Sequence, residues 1–253
     1  MTAPDLARVE EAGLNAMQTQ RQMFYDGWVL RLSPGKARRA RSVNAHFSSS
    51  RPLPDKIAYC ERVYAAHHLP ILFRITPFQQ PPQLEAVLET RGYASFDPTL
   101  VQVAPLRDPP HDDGADVALV SPSTADFVDA VARLRGSSQA QRDAHYERLS
   151  NTALTGFPVL ARSADGEPVA CGQVVLDDGL AGIFDVVTAD RARGQGVATR
   201  VVARLLTWAW EHGAAHAHLQ VDAANAPALA VYRKFGFATA YQYHYRGRPG
   251  EGS

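Results

Sequence analysis

The run GIFDVVTADRARGQGVATR, residues 182–200, passes from apolar residues ending at Val186 and Val187 into a turn with two glycines, then into Val197, Val201, Leu205 and Trp208. The spacing predicts a strand that feeds directly into an amphipathic helix. A helix that starts there leaves its first N–H groups unpaired, and glycine lets an anion come close to them. The junction therefore points to a phosphate-bearing ligand, with a plain connecting turn as the alternative for a lone G-x-G.

The periodicity around this junction predicts helices over 123–134 and 139–150, strands over 157–163, 168–177 and 180–188, and a helix over 195–212. A strand over 216–221, a helix over 226–235 and a strand over 237–245 follow. This is a mixed α/β (α+β) chain with a largely antiparallel sheet. A Pro-, Asp- and Gly-rich segment, APLRDPPHDDGAD, separates it from an earlier block and predicts a domain boundary. The expected division is 1–108, 115–245 and a flexible tail 246–253.

The earlier block predicts a lead helix over PDLARVEEAGLNAMQ, strands over WVLRLS and RRARSVNAHF, and a helix over DKIAYCERVYAAHH. The strand PILFRIT, a helix over PQLEAVLETRG and a strand near SFDPTLVQV complete it. The helix ending RGY at 91–93 falls on the helix ending FGF at 235–237 with an offset of 144, which suggests a divergent internal repeat. Helix-strand-helix-strand order is common in α/β chains, so pattern alone leaves duplication and coincidence open.

Composition excludes several classes. Among 253 residues, 45% are apolar, enough for one large or two small cores. Lys plus Arg and Asp plus Glu are both 26, so bulk charge gives no reason to expect nucleic acid or an anionic membrane as partner. No window approaches a membrane span and the N-terminus has no signal-peptide pattern, so we expect a cytoplasmic protein. Cys60 and Cys171 have no paired spacing and are expected to be reduced and buried.

The turn fails two better-known phosphate motifs: no Gly-Lys pair follows Gly194 as a P-loop needs, and Thr199 stands where a dinucleotide loop has its third glycine. Arg191-Ala-Arg-Gly194-Gln-Gly196 does fit R/Q-x-x-G-x-G/A. In that motif, after FDVVTAD, and in LQVDAANAPALAVYRKFGF at 219–237, the chain resembles the GCN5-related N-acetyltransferase (GNAT) superfamily. The resemblance implies two GNAT-like domains, each a mostly antiparallel sheet flanked by helices. At the repeat offset the glycines fall in HFSSSRPLP and Tyr232 falls on Leu88, so the N-terminal domain would be degenerate and the C-terminal one catalytic.

The same resemblance implies acetyl-CoA as co-substrate, without a metal. The backbone of Val186, Val187 and Thr188 would lie along the pantetheine arm and acetyl group, and Gly194, Gln195, Gly196, Val197, Ala198 and Thr199 would surround the pyrophosphate. Arg193 and Arg200 would add charge near the nucleotide or sit solvated on the helix start. Asn225 would contact the coenzyme, although an Asn before Ala-Pro is also a good helix cap. Tyr232, seven residues later, is the candidate acid for the departing thiolate.

The reaction so implied is direct attack of an amine on the thioester in a ternary complex, the acceptor being a small molecule or a peptide. The base is less determined: Gln220 stands where some members carry Glu, which leaves Asp185, His145 or a water relay. The alternative from another class is a non-catalytic acyl-CoA binding or sensing protein. Neither nucleic acid nor membrane is expected as a partner, and a monomer or a homodimer is consistent with the pattern.

Three further features have structural readings. KARRAR at 36–41 lacks interleaved aromatics and reads as a solvated hairpin. His212, His216 and His218 lack further ligands at zinc spacing. Tyr241, Tyr243 and Tyr245 alternate along the last strand, either as sheet packing or as an aromatic wall to an acceptor pocket.

Overall fold

The computed structural model describes residues 4–107 and 118–250. In chain order the elements are α1 (Leu6–Asn15), β1 (Gln22–Tyr25), β2 (Trp28–Arg31), β3 (Val43–Asn44), α2 (Leu53–Ala66), β4 (Leu72–Ile75), α3 (Leu84–Thr90) and β5 (Ala94–Pro105). Then come β6 (Ala118–Val120), α4 (Thr124–Arg135), α5 (Gln139–Ser150), β7 (Gly156–Arg162), β8 (Pro168–Asp177) and β9 (Leu180–Thr188). The chain ends with α6 (Val197–Glu211), β10 (His216–Asp222), α7 (Ala226–Arg233) and β11 (Ala238–Gly247). This is the mixed, mostly antiparallel α/β fold that the periodicity predicts.

The chain forms two compact units, Met17–Leu100 with Tyr241–Ser253, and Met1–Ala16 with Val101–Ala240. They differ from the linear division at 108 and 115, because the lead helix and the end of the last strand each belong with the opposite half of the sequence. Most of the expected boundary segment lies outside the described residues.

In the unit built on residues 17–100, β2 pairs antiparallel with β1 and β3, β3 runs parallel to β4, and β11 pairs antiparallel with β4. The other unit repeats this order: β8 pairs antiparallel with β7 and β9, and β9 runs parallel to β10. At the offset of 144, α2 falls on residues 197–210 and so on α6.

Burial follows from the sequence pattern. On α6, Val197, Val201, Val202, Leu205, Leu206 and Ala209 are the buried face, the 3.6-residue stripe a sheet-packing helix needs. α4 buries Phe127, Val128, Ala130 and Val131; it starts where Ser123 accepts the Asp126 N–H and stops at Gly136 in the left-handed region. α5 buries no residue completely and relies on a reciprocal Ser138–Gln141 capping box. In the 17–100 unit Trp28, Phe73 and Tyr93 meet edge to face, with centroid separations of 6.2 and 5.4 Å.

Three expectations change. RRARSVNAHF is not one strand: Arg38–Ala40 form a 3₁₀ turn and only Val43–Asn44 are extended. KARRAR is accordingly no solvated hairpin, since Arg38 pairs with Asp97 at 2.9 Å and lies over Phe96. β11 continues to Gly247, two residues past the expected end, because Arg246 donates to Glu85 at 3.0 Å and to the Tyr93 carbonyl at 3.0 Å.

β1 escaped the sequence reading although Asp26-Gly27 marks it. Tyr25 opposes Trp28 across a two-residue turn with φ of +44° and +82°, the positive pair a tight hairpin requires. A Cβ on Gly27 would lie 2.3 Å from the Ser48 carbonyl oxygen and 2.7 Å from that of Phe47, both backbone atoms. We expect Gly27→Ala to cost about 2–4 kcal/mol in urea unfolding, and a near-neutral change would contradict this packing.

Candidate active site

β9 pairs with β10 over Leu180–Ile183 against His216–Leu219, while β9 runs on to Thr188 and β10 to Asp222. On its other side β9 keeps β8, with Val187 opposite Cys171 and Thr188 opposite Ala170. The register shifts between Cys171 and Gln173, so Asp185 and Val186 together oppose Gly172. Asp185 absorbs the extra residue at φ +54°, a left-handed conformation that aspartate tolerates better than most side chains.

The backbone of Val186, Val187 and Thr188 lies past the end of the β10 ladder, while the Val186 and Val187 side chains stay anchored. Val187 packs on Phe127, Leu160 and Cys171. A Cβ built on Gly172 would meet Val186, Val201 and Leu205 side chains at 3.3, 3.0 and 3.0 Å, so that face of the strand is closed by α6. An edge of this kind offers main-chain donors and acceptors to an extended ligand.

The bulge also turns the Asp185 carboxylate into the α4–α5 pair. Arg135 donates to Oδ1 at 2.8 Å and Gln173 to Oδ2 at 2.6 Å. His145 Nε2 lies 3.2 Å and Arg148 3.6 Å from Oδ2. His145 and Arg148 are one helical turn apart on α5, so both reach the same carboxylate. Burial opposes the charge, but Arg135, His145 and Arg148 outweigh it and hold the carboxyl well below the usual carboxylate range. Asp185 is therefore a poor proton acceptor near neutrality. The Cys171 thiol donates to the Asp185 carbonyl, and burial pushes it up to about 12.

After Thr188 the chain makes a 3₁₀ turn at Asp190–Ala192 and enters α6 through Gly194 at φ +74° and Gly196 at φ +77°. A Cβ at either glycine would meet nothing within 4 Å, so the backbone angle and not crowding requires glycine here. Gly196 is the N-cap and brings no side-chain acceptor to the first turn, which starts at Val197, Ala198 and Thr199. Gln195 ties the loop by donating to the Arg191 carbonyl at 2.9 Å, and exposed Arg193 pairs with Asp190 at 2.8 Å.

Asn225 caps α7 through Oδ1, which accepts the Ala228 N–H at 3.2 Å; the cap does not use its NH2 group. Tyr232 is buried on α7, edge-on to Phe237. Burial pushes its phenol up to about 12, against the charge of Arg135, the same guanidinium that binds Asp185. Arg135, Arg148 and Gln173 were not singled out in the sequence: a basic last turn on α4 and α5 reads as ordinary helix-end charge.

His218 is buried against Phe184, and among the described residues no cluster of three or more His, Cys, Asp or Glu is placed to hold a metal. Tyr241, Tyr243 and Tyr245 are all buried, with Arg74 stacked 3.8 Å over Tyr243, so they pack the sheet of the 17–100 unit. Cys60 and Cys171 are free and buried.

Comparison with known proteins gives a consistent picture. The model of the acetyltransferase (GNAT) family matches residues 127–237. An uncharacterised N-acetyltransferase of Bacillus subtilis is 27% identical over 250 residues, covering 96% of this chain and 98% of that protein. Aminoglycoside N(6')-acetyltransferase type 1 of Serratia marcescens is 31% identical over 128 residues, 45% of this chain and 86% of that protein. Among solved structures, a GCN5-related N-acetyltransferase from Kribbella flavida superposes with a TM-score of 0.73 at 21% identity, covering 98% and 97% of the two chains. A tandem GNAT protein from the clavulanic acid biosynthesis pathway gives 0.62 at 17% identity over 76% and 68%.

The Asp185 cluster predicts an acid-sensitive fold. An unfolded aspartate titrates near 3.9, and the folded group lies below that, so its contribution is present above about pH 4 and is lost as pH falls further. Asp185→Asn should cost about 3–5 kcal/mol at pH 7 by removing the buried charge that Arg135 and Arg148 face. Urea unfolding at pH 7 and pH 3 checks both points, the wild-type excess over the variant shrinking at the lower pH.

Proposed function

This chain belongs to the acetyltransferase (GNAT) family, and we propose that it transfers the acetyl group of acetyl-CoA to a primary amine by direct attack in a ternary complex. Proteins of this family use acetyl-CoA as co-substrate. The observation that carries the reading is the continuity of one backbone track: an open strand edge at Val186–Thr188 runs through a glycine loop into the uncapped first turn of α6.

In this reading the edge of Val186, Val187 and Thr188 accepts the pantetheine amides as an added strand. The N–H groups around Gly194, Gln195, Gly196, Val197, Ala198 and Thr199 receive the diphosphate, helped by the helix dipole. Arg193 adds positive charge beside it, and the Asn225 NH2 group is available to the coenzyme while Oδ1 caps α7. A backbone N–H near Val187 polarises the thioester carbonyl, and alignment of amine and thioester supplies much of the rate.

The proton roles divide by environment. Tyr232, pushed up to about 12, keeps its proton at neutral pH and donates it to the departing thiolate. Asp185 is held ionised beside His145, 3.2 Å from Nε2, and the His145 imidazole takes the proton of the attacking amine. The catalytic machinery then lies within 115–245, and 1–108 is a GNAT-like half without the glycine loop. The repeated strand order and the tandem neighbour support this division.

Thiol release from acetyl-CoA with a panel of amines, small metabolites, aminoglycosides and peptides, tests the proposal. We expect Tyr232→Phe to lower kcat about 100-fold or more while the KM for acetyl-CoA stays within a few-fold. Gly196→Val should instead weaken coenzyme binding, because its side chain opposes the φ of +77°. Tight coenzyme binding without turnover on any amine would favour a non-catalytic acyl-CoA sensor.

A further inference from the structure

The offset of 144 puts Ser50 on Gly194, Arg51 on Gln195, Pro52 on Gly196 and Pro54 on Ala198. The loop ahead of α2 therefore corresponds to the glycine loop ahead of α6. Three of its amides are already committed. The Asp26 carboxylate accepts the Ser50 N–H at 3.1 Å, the Ser50 hydroxyl at 2.9 Å and the Arg51 N–H at 2.9 Å. Pro52 and Pro54 have no N–H to offer, and the Asp55 N–H is spent on the Pro52 carbonyl at 3.1 Å.

A cation completes the arrangement. Lys56 is wholly buried, donates to the Asp26 carbonyl at 2.6 Å, lies 3.3 Å from Oδ2 and stands 3.9 Å over the Trp28 ring. Two amides, a hydroxyl and an ammonium around one carboxylate are the donor set that binds a phosphate group. The Arg51 and Ser50 N–H groups hold the Asp26 carboxyl below the usual range, so the charge persists in mild acid. Asp26 reaches the loop because the Asp26-Gly27 turn is clamped there, with Phe47 N–H donating to the Gly27 carbonyl at 3.0 Å.

We propose that Asp26 is a built-in anion that fills the phosphate position ahead of α2 and closes this unit to coenzyme A. Resting on the coenzyme reading of the α6 loop, it follows that the chain takes one coenzyme and not two. The test has two arms on the full chain. Asp26→Gly suits the positive φ and vacates the donors; its Tm should rise by about 2 °C or more when inorganic phosphate replaces chloride at equal ionic strength, beyond any rise in wild type. Adding Lys56→Met should abolish that excess, and equal responses of wild type and Asp26→Gly would overturn the proposal.

The second arm needs no Asp26 variant. Calorimetric titration of wild type with coenzyme A should give one site, and Gly196→Val should weaken it. Two sites in wild type, or one of undiminished affinity in Gly196→Val, would overturn the closure. Failure of wild type to bind coenzyme A would count against the coenzyme reading, and the phosphate response of Asp26→Gly would still decide whether Asp26 fills an anion site.

Discussion

One extra residue in β9, opposite Gly172, is the constraint on which the site depends. Without it, the strand would present alternating side chains to α6 on one face of the sheet and α4 on the other along its whole length. With it, Asp185 turns into the α4–α5 pair at φ +54°, and Val186–Thr188 run past the end of the β10 ladder. A bulge is costly unless its odd residue is held, and here two arginines, a glutamine and a histidine hold it. The same carboxylate thus sits at the bulge and lies beside His145.

Electrostatics and backbone geometry then divide the work. The α6 start offers fixed dipoles and no side-chain cap, which suits an anion and costs no reorganisation when one binds. Arg135, at the end of α4, binds Asp185 and acts on the Tyr232 phenol. Ahead of α2, by contrast, the equivalent donors serve Asp26. On the proposed reading, one loop is left to a ligand and the other is satisfied from within.

Much of this was legible in the sequence, for identifiable reasons. The elements from α4 to β11 fall within a few residues of their predicted ends because long amphipathic stripes and capping residues such as Ser123, Ser138 and Gly136 announce them. The glycine loop and the Asn225–Tyr232 spacing carried the resemblance. What stayed hidden depends on tertiary contact. β3 shrank because Arg38 is drawn to Asp97, and no local pattern reveals that pairing. Asp185 looked like a candidate base because its neighbours Arg135, Arg148 and Gln173 lie 12 to 50 residues away in sequence. The first hairpin strand is marked only by Asp26-Gly27, because Gln22–Tyr25 is too short and lacks apolar–polar alternation.

The central claim is that one backbone track, from β9 into α6, binds the coenzyme. Backbone amide chemical shifts of isotope-labelled protein, followed on addition of coenzyme A, test it residue by residue. The account predicts the largest changes at Val187 and from Gly194 to Thr199, with Ser50 and Arg51 unmoved. Changes centred on Ser50–Lys56, or none along the β9–α6 track, would contradict it.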